Sequence, residues 1–74
     1  MTTEEKVILL AILKKEAGES LRDVLLVLEN SRVFSLKEGK RLLKNLKERG
    51  YVENGGLTVA GEAAARAAEA EFRL

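Results

Sequence analysis

The chain has 74 residues, with 13 Lys and Arg against 12 Asp and Glu, a net charge of +1. It has no Cys and no His, which excludes disulfides and the common zinc, iron and haem sites and removes the usual nucleophile and general base of enzymes. Apolar residues at 46% and charged residues at 34% describe a folded domain rather than a disordered tail.

A chain this short makes one domain, residues 1–74, with a thin core. With disulfides and metals gone, association with a second copy is the remaining way to add buried surface. The longest apolar run, Val7 to Leu13, has seven residues, far below the ~20 that span a bilayer. A cytoplasmic protein without membrane contact, metal, cofactor or enzymatic activity is expected.

Thr2-Thr3-Glu4-Glu5 carries a capping signal, with Thr2 or Thr3 as N-cap. Good helix formers follow to Ala17, and Gly18 fits a C′ glycine, so helix 1 is expected over about residues 3–17. Ser20-Leu21-Arg22-Asp23 is a second cap signal, and Leu21, Val24, Leu25 and Leu28 recur at helical spacing. Helix 2 should cover about 21–30. After a linker through Val33 and Phe34, Ser35-Leu36-Lys37-Glu38 forms a capping box for helix 3, which runs to Arg49 and stops at Gly50. Leu36, Leu43 and Leu46 share one face, with Leu42 at its flank. Gly39 lies on that same face. A mid-helix Gly costs about 1 kcal/mol against Ala, and close approach of another helix is the expected compensation.

The period then changes. Tyr51-Val52-Glu53 and Leu57-Thr58-Val59 are short β-type runs around Asn54-Gly55-Gly56, a strong hairpin signal. Thr58 or a neighbour caps a last helix from Gly61 to about Phe72, with an Ala-rich middle of high helix propensity. Gly61 is placed to let that helix lie close to the hairpin.

The order H-H-H-E-E-H makes a mainly α fold with a small β-hairpin. It divides into a helix-turn-helix over about 20–50, a wing over about 51–59 and a C-terminal helix over about 60–72. The run Leu42-Leu43-Lys44-Asn45-Leu46-Lys47-Glu48-Arg49-Gly50-Tyr51-Val52, followed by Leu57-Thr58-Val59-Ala60-Gly61, resembles the winged helix-turn-helix superfamily, in particular small prokaryotic transcriptional regulators related to MarR and PadR proteins. In such regulators the recognition helix ends in L-x-x-L-x-x-x-G-[YL]-[IV], and the wing returns through L-T-x-x-G into the last helix. The match covers about residues 35–70. It implies a winged helix-turn-helix fold and a dimer built by the first and last helices.

Charge is concentrated where such a fold would meet nucleic acid. Residues 35–50 hold six basic and two acidic side chains, whereas acidic residues are in excess on both sides. At 100° per residue, Lys37, Arg41, Lys44, Asn45 and Glu48 lie opposite the Leu face, and Lys40 and Lys47 flank it. The expected DNA-binding set is Ser35, Lys37, Lys40, Arg41, Lys44 and Asn45. The lysines suit phosphates, Arg41 suits guanine, and Asn45 suits adenine. Ser35 and the backbone N–H groups at the helix start suit a phosphate. Double-stranded DNA is the expected partner. A solvated Lys-rich face paired with Glu38 and Glu48 is the competing account.

Helix 1 is apolar all round from Val7 to Leu13, and Leu26 and Val27 fall outside the main stripe of helix 2. The last helix adds small residues, then Phe72 and Leu74. A homodimer through Ile8, Ile12, Ala64, Ala68 and Phe72 is expected, against the alternative that helix 1 is simply central and buried by its neighbours. The wing, Glu53-Asn54-Gly55-Gly56, carries no Lys or Arg. That favours a second functional class, a winged-helix protein-interaction module without DNA binding.

Overall fold

A computed structural model describes residues 1–72 of the chain. The order is α1 (Thr3–Lys14), α2 (Leu21–Asn30), α3 (Leu36–Glu48), β1 (Val52–Glu53), β2 (Gly56–Leu57) and α4 (Val59–Phe72). The fold is thus mainly helical with one small antiparallel hairpin, Val52 facing Leu57 and Glu53 facing Gly56.

Each helix start follows from its cap. Thr2 and Glu5 form a reciprocal capping box for α1, and Ser20 and Asp23 form one for α2. Each box satisfies two backbone N–H groups that a helix start leaves unpaired. Ser35 caps α3 by accepting from the Glu38 amide at 3.2 Å. Thr58 caps α4, its hydroxyl accepting from the Gly61 amide at 3.0 Å and donating to the Gly50 carbonyl at 2.6 Å. That pair of bonds ties the exit of α3 to the entry of α4.

The helix ends are equally local. At the end of α3 the Tyr51 amide donates to the Leu46 carbonyl and the Gly50 amide to the Lys47 carbonyl, with Gly50 at φ +82°. This is a Schellman closure on the expected glycine. The end of α2 has the same pattern, Val33 to Leu28 and Arg32 to Glu29, but the left-handed position belongs to Arg32 at φ +61°. The hairpin turns on Asn54 at φ +48° and Gly55 at φ +80°, the signs a type I′ turn requires.

Several boundaries depart from expectation, most at the end of α1 and around the second strand, and α4 starts at Val59 rather than Gly61. Helix α1 stops at Lys14, because Lys15 is already extended. The Glu19 carboxylate accepts from the Glu16 amide at 2.7 Å, and Gly18, at φ +92°, bends this loop instead of closing the helix. The second strand ends at Leu57, because capping by Thr58 recruits Val59 into α4.

The core gathers Ile8, Leu9 and Ile12 of α1, Val24, Leu25 and Leu28 of α2, Leu42, Leu43 and Leu46 of α3, Val52 of the hairpin and Ala65 of α4. Helix α1 is central, touching α2, α3, α4 and β2. Two glycines mark the tightest approaches. A Cβ on Gly39 would lie 2.6 Å from the Phe34 ring and 3.2 Å from Leu25, so the partner there is mainly the linker's aromatic ring, with Leu25 of α2 behind it. A Cβ on Gly61 would lie 1.9 Å from the Tyr51 carbonyl oxygen, the expected contact between α4 and the hairpin.

Candidate functional site

Helix α3 turns Leu42, Leu43 and Leu46 inward, and its opposite face is open. Lys37, Lys40, Arg41, Lys44, Lys47 and Glu48 are exposed, and Asn45 is half-buried at one edge. The structure therefore brings Ser35, Lys37, Lys40, Arg41 and Lys44 to one accessible surface, with Asn45 partly shielded.

The basic groups on that surface are not equivalent. Lys37, Lys40, Lys44 and Lys47 make no ion pair among the described residues. Arg41 is gripped by Glu38, its Nε donating to Oε2 at 3.0 Å and its Nη2 donating to Oε1. The hydrogen bond from Arg41, reinforced by its charge, holds the Glu38 carboxyl below the usual carboxylate range. The same bond, the Glu38 charge and the more distant Glu5 raise Arg41. Arg49 is also engaged. Its Nη1 reaches Glu5 at 3.3 Å, and its guanidinium carbon sits 5.5 Å from the centre of the Tyr51 ring.

Glu5 is the one buried charged side chain among the described residues, at 5% exposure. It accepts from the Thr2 amide at 2.9 Å, from the Thr2 hydroxyl at 3.2 Å and from Arg49. The Thr2 backbone bond contributes most to keeping its carboxyl low. The hydroxyl, Arg49 and the chain's amino group add to it against the opposing effect of burial. This anchor fixes the C-terminal end of α3 to the start of α1.

The start of α3 has less to offer an anion than its cap suggested. The Leu36 amide donates to Glu29 Oε2 at 2.9 Å, and the Glu38 amide is taken by Ser35. Two donors at this helix start are therefore occupied, one of them by a carboxylate. The Ser35 hydroxyl accepts in that bond and keeps its own hydrogen to donate. No local pattern foretells Glu29, which lies seven residues before Leu36 and acts through the turn that folds α2 back onto α3.

By helical angle Lys47 only flanks the apolar stripe. It borders an open cleft of about 390 Å³, together with Gly50, Val52, Glu53 and Thr58, where α3 meets the hairpin. The hairpin tip adds no cation to that cleft.

Comparison with family models, curated proteins and solved structures finds no match.

The residues expected at a dimer interface are divided. Ile8, Ile12 and Ala68 are buried within a single chain, and Ala64 is half-buried. Val7, Ala11 and Leu13 also pack against the core. Most of the apolar ring of α1 is thus absorbed by its own chain, because α2, α3, α4 and β2 lie against it, while Leu10 stays half-buried outside that cluster. Phe72 remains 41% exposed, and Val27 and Val59 are open at 56% and 90%. Leu74 lies outside the described residues. No helix among the described residues is long and apolar enough to cross a membrane, and no cluster of three acidic side chains there is placed to hold a metal ion.

Proposed function

We propose that the chain is a DNA-binding protein of winged helix-turn-helix type, a transcriptional regulator that lays α3 in the major groove. The supporting observation is the exposed row Lys37, Lys40, Lys44 and Lys47, free of ion pairs among the described residues. The row spans about 15 Å at 1.5 Å per residue, and a helix about 10–12 Å across fits the ~12 Å wide major groove. Unpaired lysines are effective phosphate ligands, because no internal ion pair must break before condensed counterions are released. Lys37, Lys40 and Lys44 contact phosphates, the Ser35 hydroxyl adds one donor, and Arg41 and the exposed part of Asn45 face base edges.

The test is fluorescence anisotropy with a random-sequence duplex across a salt series. Binding should weaken steeply with salt, and Lys37→Ala and Lys44→Ala should each reduce the salt slope by about 1. Absence of binding at low salt refutes the proposal.

A second reading, a protein-interaction module, is favoured by Val59, whose side chain stands in solvent at the start of α4 beside the exposed Ala60 and Ala63. The apolar side chains left open for such contacts are Val27, Val59 and Phe72 rather than the buried part of α1. Salt dependence distinguishes the two, because duplex binding should collapse as salt rises whereas an apolar interface should not. Association that persists at high salt and is lost in Val59→Lys supports the apolar interface.

A further inference from the structure

We propose that Glu38 is a positioning residue for base recognition: it holds Arg41 by one edge of the guanidinium and presents the other edge to a guanine. This inference rests on the DNA-binding reading of α3.

The geometry of the pair carries it. An arginine has five N–H donors in a planar fork. Glu38 engages the Nε and Nη2 atoms, one carboxylate oxygen to each. Both hydrogens of Nη1 and the second hydrogen of Nη2 are left over; one from each nitrogen point side by side along the distal edge of the plane, next to the edge that Glu38 holds. That edge offers two parallel donors, the arrangement that matches the N7 and O6 acceptors of guanine in the major groove. Arg41 and Glu38 are both exposed at the side chain, so the free edge opens toward whatever occupies the α3 face. The pair sits three residues apart on one helix, which keeps the carboxylate beside the α3 surface and beneath the guanidinium.

The arrangement has a cost that makes it testable. A carboxylate near a phosphate surface weakens general attraction to DNA. It is useful only if the immobilised arginine discriminates better than a mobile one. A long side chain ordered before binding loses less freedom on contact. Glu38 should therefore lower affinity for arbitrary sequence and sharpen preference for one base, which a merely structural surface ion pair would not do.

The experiment selects sites from a randomised duplex library with the wild-type protein, Arg41→Ala, Glu38→Gln and Glu38→Ala, and measures affinity for the enriched and unselected duplexes. Glutamine at this position keeps a helix-compatible side chain and can accept only one of the two bonds. Melting by circular dichroism verifies that each variant is folded. The expected result is a guanine enriched by the wild type and lost in Arg41→Ala. In both Glu38 variants, preference for that guanine should fall about 2- to 12-fold, the equivalent of ordering one long side chain, while affinity for unselected duplex holds or rises. If the Glu38 variants bind every duplex more tightly with the preference intact, Glu38 is only a counter-charge and the inference fails. It fails equally if Arg41→Ala leaves the enriched sequence unchanged. If the wild type binds no duplex at low salt, the DNA-binding reading fails first and takes the inference with it.

Discussion

Replacing Gly61 with alanine sets two opposing effects against each other. Alanine is favoured in a helix interior by about 1 kcal/mol over glycine, so an unobstructed position in α4 would gain stability. At Gly61 the new Cβ would sit 1.9 Å from the Tyr51 carbonyl oxygen, 2.9 Å from its carbon and 3.3 Å from a Leu57 methyl. The obstruction is backbone, and that carbonyl already accepts from the Thr58 amide at 3.1 Å. Relief requires α4 and the hairpin to separate by more than 1 Å, judged from the gap to ordinary contact. Overpacking of this kind costs about 1–3 kcal/mol, and weakening the Thr58–Tyr51 bond adds about 1 kcal/mol. After the propensity gain, the net loss is about 2 kcal/mol, a fall in Tm of roughly 8–16 °C for a chain of this length. Gly39→Ala is the control. Its Cβ meets the Phe34 ring and a Leu25 methyl, side chains that can pivot, so its net change should stay within about 1 kcal/mol. Thermal and urea unfolding of both variants decide the matter. A Gly61→Ala protein as stable as the wild type would refute the account of how α4 meets the hairpin.

Thr58→Ala removes the cap of α4 and the bond to the Gly50 carbonyl, and should cost about 1–2 kcal/mol in urea unfolding, with Thr58→Ser recovering most of it. Arg32→Gly should raise Tm, because the left-handed φ of Arg32 is unfavourable for a residue with a Cβ, and the gain should be about 0.5–1 kcal/mol after the added freedom of the unfolded chain. Glu5, whose carboxyl is held below its ordinary value of 4.5, contributes stability that is present above that pH and lost as pH falls through its lower folded value. Glu5→Gln should therefore melt below the wild type at pH 7, and the gap should narrow as both are acidified, measured by melting curves across a pH series.

Local chemistry made much of the fold legible. Helix α2 begins on the Ser20–Asp23 box that its pattern foretold, and the Asn54-Gly55 pair announced the hairpin, whereas α3 begins on Ser35 without the reciprocal half of its expected box, because the Glu38 carboxylate turns to Arg41 instead. The errors fall where one residue had two uses. Thr58 suits a strand and also a cap, and the cap prevailed because it also reaches Gly50. Gly18 suits a helix end and also a loop bend, and it serves as the bend that precedes the α2 cap at Ser20. Burial was harder to read than element order. The excess apolar surface of α1 looked like a docking face, yet in so small a fold one central helix has neighbours on most sides. On the α3 face, the exposed lysines were legible from the helical period. The engagement of Arg49 by Glu5, forty-four residues away, and of the Leu36 amide by Glu29 depends on tertiary placement that no short window contains.

The packing of α1 against α4 also governs the order in which the protein can form. Lys6 pairs with Glu71 and Lys14 with Glu69, and Ala65 and Ala68 close over the centre where Ile8 and Leu9 lie. Helix α1 is covered by α4, the helix farthest from it along the chain. During synthesis the apolar face of α1 has only α2, α3 and the hairpin to shelter it until α4 has emerged, so folding of this domain on the ribosome should stay incomplete until α4 arrives. Contacts between the two ends carry the loop-closure cost of almost the entire sequence, which slows a chain whose individual helices form quickly. A truncation that removes α4 would accordingly uncover the face of the innermost helix that α4 now shields.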